Sequence, residues 1–176
     1  MTIAPSAVPL TMRAGHVPIL AAERVLRHAE AVGAARMDDV AAFVRTACGE
    51  LRALGINPDA ILGMSCLETD HWRSRIWATR LNPGGLGVTD GHDLGYGFAT
   101  GRLAALAMGV HLMAYAKGHD NRLAPYIHLD PRFAAVHAAG FAGSARTLAG
   151  LGNGKWASDP DYKVKVAARI EEMSRA

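Results

Sequence analysis

Ala60-Ile61-Leu62-Gly63-Met64-Ser65-Cys66-Leu67-Glu68-Thr69-Asp70-His71-Trp72 is the stretch on which the reading of this chain turns. It follows a sharp restart, Gly55-Ile56-Asn57-Pro58-Asp59. Asn57 can cap a helix, and Pro58 suits the first helical position, where a missing N–H costs nothing. The pattern predicts a helix over 58–69 with Ile61, Leu62, Ser65 and Cys66 on its inward face. Glu68 then falls close to the C-terminal end. The helix dipole disfavours an ionised carboxylate there. Leu67, Trp72 and Trp77 offer apolar surroundings that raise a carboxyl pKa. Glu68 is therefore a candidate general acid.

Outward from this helix, most of the chain reads as helical. Alanine and leucine dominate and β-branched residues are sparse. A helix is expected over 19–32, ending at Gly33. Another is expected from Met37 to Gly55, with Asp38 and Asp39 at its N-terminus and Val40, Phe43, Val44, Ala47, Leu51 and Leu54 on one face. A long helix is expected over 100–117, a short one after Pro131, a further turn or two over 144–151, and a closing helix over 160–173 capped by Asp159. The section between 82 and 97 differs. Its glycines at 84, 85, 87, 91, 95 and 97 argue against helix. A short, irregular β-hairpin turning at Asp90-Gly91 is the natural reading.

Three stretches carry a resemblance. They are the helix ending in Leu67-Glu68-Thr69, the element Asn82-Pro83-Gly84-Gly85-Leu86-Gly87-Val88, and the closing Leu151-Gly152-Asn153-Gly154-Lys155-Trp156-Ala157-Ser158-Asp159-Pro160-Asp161-Tyr162. In this order and spacing they resemble the glucosaminidases of glycoside hydrolase family 73, in the lysozyme-like superfamily. Residues 97–115 look like versions found in phage-encoded and tail-associated wall hydrolases. The resemblance implies a mainly α, lysozyme-like helical domain with a small irregular β-hairpin lobe. It also implies cleavage of the β-1,4 bond after N-acetylglucosamine in peptidoglycan, with Glu68 as acid. Tyr162 matches the last Tyr of the closing motif, and Trp156 stands where its first Tyr would be. Asn82 keeps the first Asn of the middle motif, while Pro83 and Gly84 replace the residues after it. Trp72, Asn82, Tyr96 and Trp156 are the expected substrate contacts.

A second carboxylate is less evident. Inverting hydrolysis needs a base set apart from the acid to activate water. The family places an acid in the hairpin lobe, but this hairpin contains no Glu. It offers Asp90 and Asp93. Asp90 also suits a plain Asp-Gly turn. Assistance by the substrate's own N-acetyl group would need no second protein carboxylate.

The length of 176 residues fits one catalytic domain over 19–176 preceded by a proline-rich extended arm over 1–18. The net charge of +3 suits an anionic polymer and excludes little. No dense Lys/Arg run points to nucleic acid. The N-terminus lacks the pattern of a signal peptide, and no apolar stretch is long enough for a membrane span. The expected site of action is the bacterial cell wall, reached as a phage or tail-associated component. The arm is a candidate docking segment for phage-tail or injection-apparatus proteins. His71, His92, His111, His119, His128 and His137 show no ligand spacing, so neither metal nor cofactor is expected. Cys48 and Cys66 read as two small buried thiols, although a disulfide is conceivable. The rival readings are a muramidase or lytic transglycosylase of the same fold, and a non-catalytic wall-binding module of a phage tail.

Overall fold

Helix dominates the computed structural model, which describes residues 2–88, 95–152 and 154–176. Among these residues the α-helices are α1 (Ala22–Ala31), α2 (Met37–Thr46), α3 (Pro58–Glu68), α4 (Arg75–Arg80), α5 (Gly101–Lys117), α6 (Phe133–Ala138) and α7 (Tyr162–Ser174). The described residues form no sheet, only two isolated bridges, Pro9 with Thr147 and Thr11 with Ile56. The expected mainly α fold is what the chain adopts.

The core is built around α3 and α5, each apolar on nearly every side. Residues Pro58 to Cys66 of α3 are all buried. The sequence suggested one inward face, but a helix enclosed by neighbours must be apolar all round. Asn57 caps α3 as expected, accepting a hydrogen bond from the Asp59 N–H at 3.2 Å. α3 lies along α7, and Gly63 permits the close crossing. A Cβ at that position would stand 2.6 Å from Ile170 Cγ1. α5 packs against α2, with Thr100 as its cap.

Three elements differ from the sequence reading. The closing helix begins at Tyr162 after Asp161, and Asp159 does not cap it but accepts the Asp161 N–H at 2.8 Å. The second helix does not run evenly to Gly55. After Thr46 it widens into a π-helical turn, Ala47–Leu51, which directs Leu51 into α5 at Gly109. The short helix α4 was not anticipated. Ser74 caps it, accepting from the Trp77 N–H at 3.4 Å, and Trp77 anchors it by donating its indole N–H to Ala35 O at 3.0 Å.

Residues 2–18 are extended over much of their length, apart from one 3-10 turn at Pro5–Ala7. They are nevertheless a layer of the same core, not a free arm. Ile3, Val8 and Leu10 are buried. Leu10 N–H donates to Arg146 O at 3.0 Å, and Asn57 donates its side-chain amide to Pro9 O at 2.7 Å. The Asp59 carboxylate, at the start of α3, accepts the N–H groups of Ile19 and Leu20 at 2.9 Å each. Backbone groups and apolar side chains of this segment find partners in its own domain.

The hairpin expected between 82 and 97 falls partly outside the described residues. Its described flanks are irregular and are tied together by the Tyr96 N–H donating to Leu86 O at 3.0 Å. Among the described residues no helix is long and apolar enough to cross a membrane.

Candidate active site

Glu68 closes α3, half-buried, with its carboxylate held against Trp156, which lines a neighbouring cleft. Trp156 donates its indole N–H to Glu68 Oε1 at 3.1 Å. On the opposite side, Gly85 approaches closely enough that a Cβ there would lie 4.0 Å from Glu68 Oε2. Tyr162, the first residue of α7, is buried and its hydroxyl is electrostatically coupled to the same carboxylate. That hydroxyl makes no well-aligned hydrogen bond among the described residues.

Two opposing influences act on Glu68. Loss of water pushes its pKa up, and this effect wins. The Tyr162 hydroxyl and the Trp156 N–H favour the charged form and pull the other way. The Tyr162 hydroxyl is in turn held well above its usual range, first by burial and then by the Glu68 charge. The helix C-terminus and apolar setting read from sequence are thus present. The aromatic neighbours are not those expected, however. Trp72 is wholly buried and donates its N–H to Ser65 Oγ at 3.0 Å. Trp77 is buried under α4. Both face the core because the chain turns sharply after Thr69, carrying residues 70–77 away from the cleft.

The cleft beside Glu68 has a volume of about 120 Å³. One wall is the loop 84–88, and the other carries His111, Tyr115 and Trp156. Arg132 and Lys155 add positive charge. The loop owes its shape to Asn82, which is fully buried. Asn82 Oδ1 accepts the N–H groups of Leu86 at 2.8 Å and Gly84 at 3.3 Å, and Nδ2 donates to Leu86 O at 2.9 Å. Its amide is spent on its own loop, so Asn82 shapes the cleft from beneath and does not line it.

A polar pair on this wall was not foreseen. The His111 Nδ1 lies 3.0 Å from Asp130 Oδ2, and both side chains are buried. Asp130 Oδ1 also accepts the Arg132 N–H at 2.9 Å. The carboxylate thereby fixes which ring nitrogen faces away from it. The His111 ring packs 5.0 Å from Trp156 and 5.3 Å from Tyr115, centroid to centroid. Tyr115 donates its hydroxyl to Lys155 O at 2.9 Å, pinning the segment that presents Trp156. The only sequence signal for the pair was a histidine interrupting an otherwise apolar helix. Nothing near Asp130 marked it as that residue's partner.

The structure therefore gathers Glu68, Trp156 and Tyr162 and leaves out Trp72. Tyr96 is 46 % exposed and lies against Gly87 at the outer edge of the loop, beside a shallow groove with Phe98 and Leu129. Asp90 and Asp93 lie outside the described residues. Among the described residues that line the cleft there is no carboxylate to pair with Glu68.

No family model, no curated protein and no solved structure matches this chain.

Proposed function

We propose that this protein is a glycoside hydrolase that cuts the β-1,4 bond after N-acetylglucosamine in bacterial peptidoglycan, with Glu68 as general acid. The observation that carries the reading is the environment of Glu68. A carboxyl at the end of a buried helix has its pKa raised by desolvation, yet it has two aromatic donors beside it. A raised pKa favours the proton-carrying form that a general acid must offer to the glycosidic oxygen. As the proton leaves, the Trp156 N–H and Tyr162 hydroxyl stabilise the carboxylate that forms. The Trp156 donor is already in place at 3.1 Å, and the Tyr162 hydroxyl needs only to align with the carboxylate.

The rest of the cleft suits the same substrate. Trp156, half-buried at the cleft wall, offers aromatic surface to a sugar ring. Arg132 and Lys155 complement the carboxylates of the wall peptides. This use of the protein belongs at the cell wall.

One observation favours a second reading. With Glu68 beside the cleft and no carboxylate among the described residues that line it, a lytic transglycosylase is served as well as a hydrolase, since attack by the substrate's own 6-hydroxyl needs one acid/base group. Digestion of purified sacculi followed by mass spectrometry separates these readings. A reducing N-acetylglucosamine end is expected. A 1,6-anhydro end would replace the hydrolase with a transglycosylase, and reducing N-acetylmuramic acid would indicate a muramidase. If wild type released nothing but sedimented with sacculi, the cleft would be a binding site and not a catalytic one.

A further inference from the structure

Around Cys66, two residues before Glu68 on α3, the fold draws together three side chains from three separate elements. His28 comes from α1, Cys66 from α3 and His71 from the turn after α3. The His28 Nε2 lies 2.8 Å from His71 Nδ1, and Cys66 Sγ lies 3.3 Å from that same nitrogen. All three donor atoms lie within 4.8 Å of one another. Cys66 is fully buried, and each histidine is 6 % exposed. Both cysteines of the chain are free thiols.

A hydrogen-bonded cluster accounts poorly for this geometry. An imidazole nitrogen carries either one proton or one in-plane lone pair. His71 Nδ1 has two close polar neighbours and can serve only one of them properly. A metal ion satisfies all three donors at once. Zinc bonds imidazole nitrogen at about 2.0–2.1 Å and thiolate at about 2.3 Å. In a tetrahedron this sets neighbouring donors roughly 3.3–3.6 Å apart. The observed 2.8 and 3.3 Å separations need only small opening movements to reach that range.

The backbone that presents His71 is also unusual. Asp70, His71 and Trp72 all adopt left-handed conformations, with φ of 47°, 58° and 60°. For non-glycine residues such a run costs energy at each step. It is held in place from several sides. Thr69 Oγ1 accepts the Trp72 N–H at 3.0 Å, the His71 N–H donates to Cys66 O at 2.7 Å, and Trp72 O accepts the Ala35 N–H at 3.0 Å. The strained turn aims His71 at Cys66, five residues earlier, and at His28.

We infer that His28, Cys66 and His71 form a binding site for a thiophilic divalent metal ion of the zinc class. Cys66 binds as thiolate, releasing its proton to solvent, and the two histidines bind as neutral rings. The fourth position is left for water; Glu172 of α7, paired with Arg169 at 2.7 Å, acts on both rings through its charge. Such an ion would tie α1 to the end of α3, two residues before Glu68, and would stabilise the turn. Ligands 28, 66 and 71 fit no motif spacing, so the site is not legible before the chain is folded. The inference does not depend on the glycosidase reading.

Cobalt(II) titration of the metal-stripped full-length protein tests it. One equivalent should produce a thiolate-to-cobalt charge-transfer band and the visible bands of a tetrahedral site, and zinc should erase them. Cys66→Ser should abolish the charge-transfer band, and His71→Gln should weaken cobalt binding about 10-fold or more, by the scale of altered metal shells. Cys48→Ser should bind like wild type. Zinc should also raise the Tm of wild type and not of Cys66→Ser. If stripped wild type takes up no cobalt or zinc, or if the signal follows Cys48, the site does not exist. Because wild type alone can give that result, a variant that folds poorly does not shelter the proposal.

Discussion

The indole N–H of Trp156 and the carboxylate of Glu68 meet at 3.1 Å across 88 positions of chain. This contact joins the end of α3 to the segment that leads into α7. It also sets one of the two groups that oppose the desolvation of Glu68. The consequences can be separated experimentally, because activity and stability respond to the carboxyl in opposite directions.

Glu68→Gln should lower wall-lysing activity by about 10²–10⁴-fold, the usual scale for loss of a general acid. The same change should make the protein more stable at neutral pH. The Glu68 pKa is raised in the folded state, so the folded chain binds a proton that the unfolded chain releases. The stability this supplies is fully present below the ordinary carboxyl pKa of 4.5 and is lost as pH rises through the raised value. Neutral glutamine carries no such loss. Thermal melts of wild type and variant from acid to neutral pH should therefore diverge as pH rises. Parallel curves would mean that Glu68 is not desolvated.

Trp156→Phe keeps most of the aromatic surface and removes the donor. A hydrogen bond to a charged group contributes about 1.5–3 kcal/mol, so the rate should fall roughly 10- to 100-fold. Without the donor the Glu68 pKa rises further, and the alkaline limb of the pH–rate profile should move to higher pH. A reduced rate with an unmoved profile would show that Trp156 acts by packing alone.

The sequence disclosed the features that depend on neighbours in the chain. The Asn57-Pro58 start of α3, the position of Glu68 at its end, and the Thr100 start of α5 are local, and each is where the pattern put it. What lay hidden depends on which distant segments meet. Trp72 reads as a cleft aromatic because it is four residues from Glu68. Three left-handed residues instead turn it into the core. His111 and Asp130, or His28, Cys66 and His71, become neighbours only once α1, α3 and α5 are packed. The π-helical turn at Ala47–Leu51 was illegible for a similar reason, since its apolar spacing looks helical until Leu51 must meet Gly109.

The His111–Asp130 pair predicts an ordering of two variants. Asp130→Ala strips His111 and the Arg132 N–H of their acceptor inside the protein. The cost should be about 1–3 kcal/mol for the buried groups left unpaired. Asp130→Asn retains an acceptor oxygen and should lose less. Denaturant unfolding of the two variants checks the order. Equal losses would show that the carboxylate is not orienting the ring.

Asn82 discriminates between a substrate contact and a loop support. Its three bonds to Gly84 and Leu86 predict that Asn82→Ala lowers stability by about 1–3 kcal/mol and loosens the loop 84–88. Accelerated hydrogen exchange at Leu86 would report the loosening. If Asn82→Ala instead left unfolding and exchange unchanged and weakened only binding to sacculi, the side chain would be a sugar ligand after all.

Two glycines make a matched test of the helix packing. At Gly101, the first residue of α5, a Cβ would fall 1.9 Å from Asp39 O, and that atom belongs to the backbone. The Gly101 N–H also donates to Asp39 Oδ1 at 2.9 Å, so the two helices are locked together at this point. No rotamer change can relieve the contact. Gly101→Ala must push α5 from α2 and should cost about 3 kcal/mol, at the upper end of overpacking effects. Gly49 sits in the π-helical turn with open space around its Cα and no left-handed φ. Gly49→Ala should be neutral or should stabilise by roughly 0.5–1 kcal/mol, because the unfolded chain loses freedom while the folded one loses nothing. Equal melting temperatures for the two variants would show that α2 and α5 do not approach each other as closely as the Gly101 contact requires.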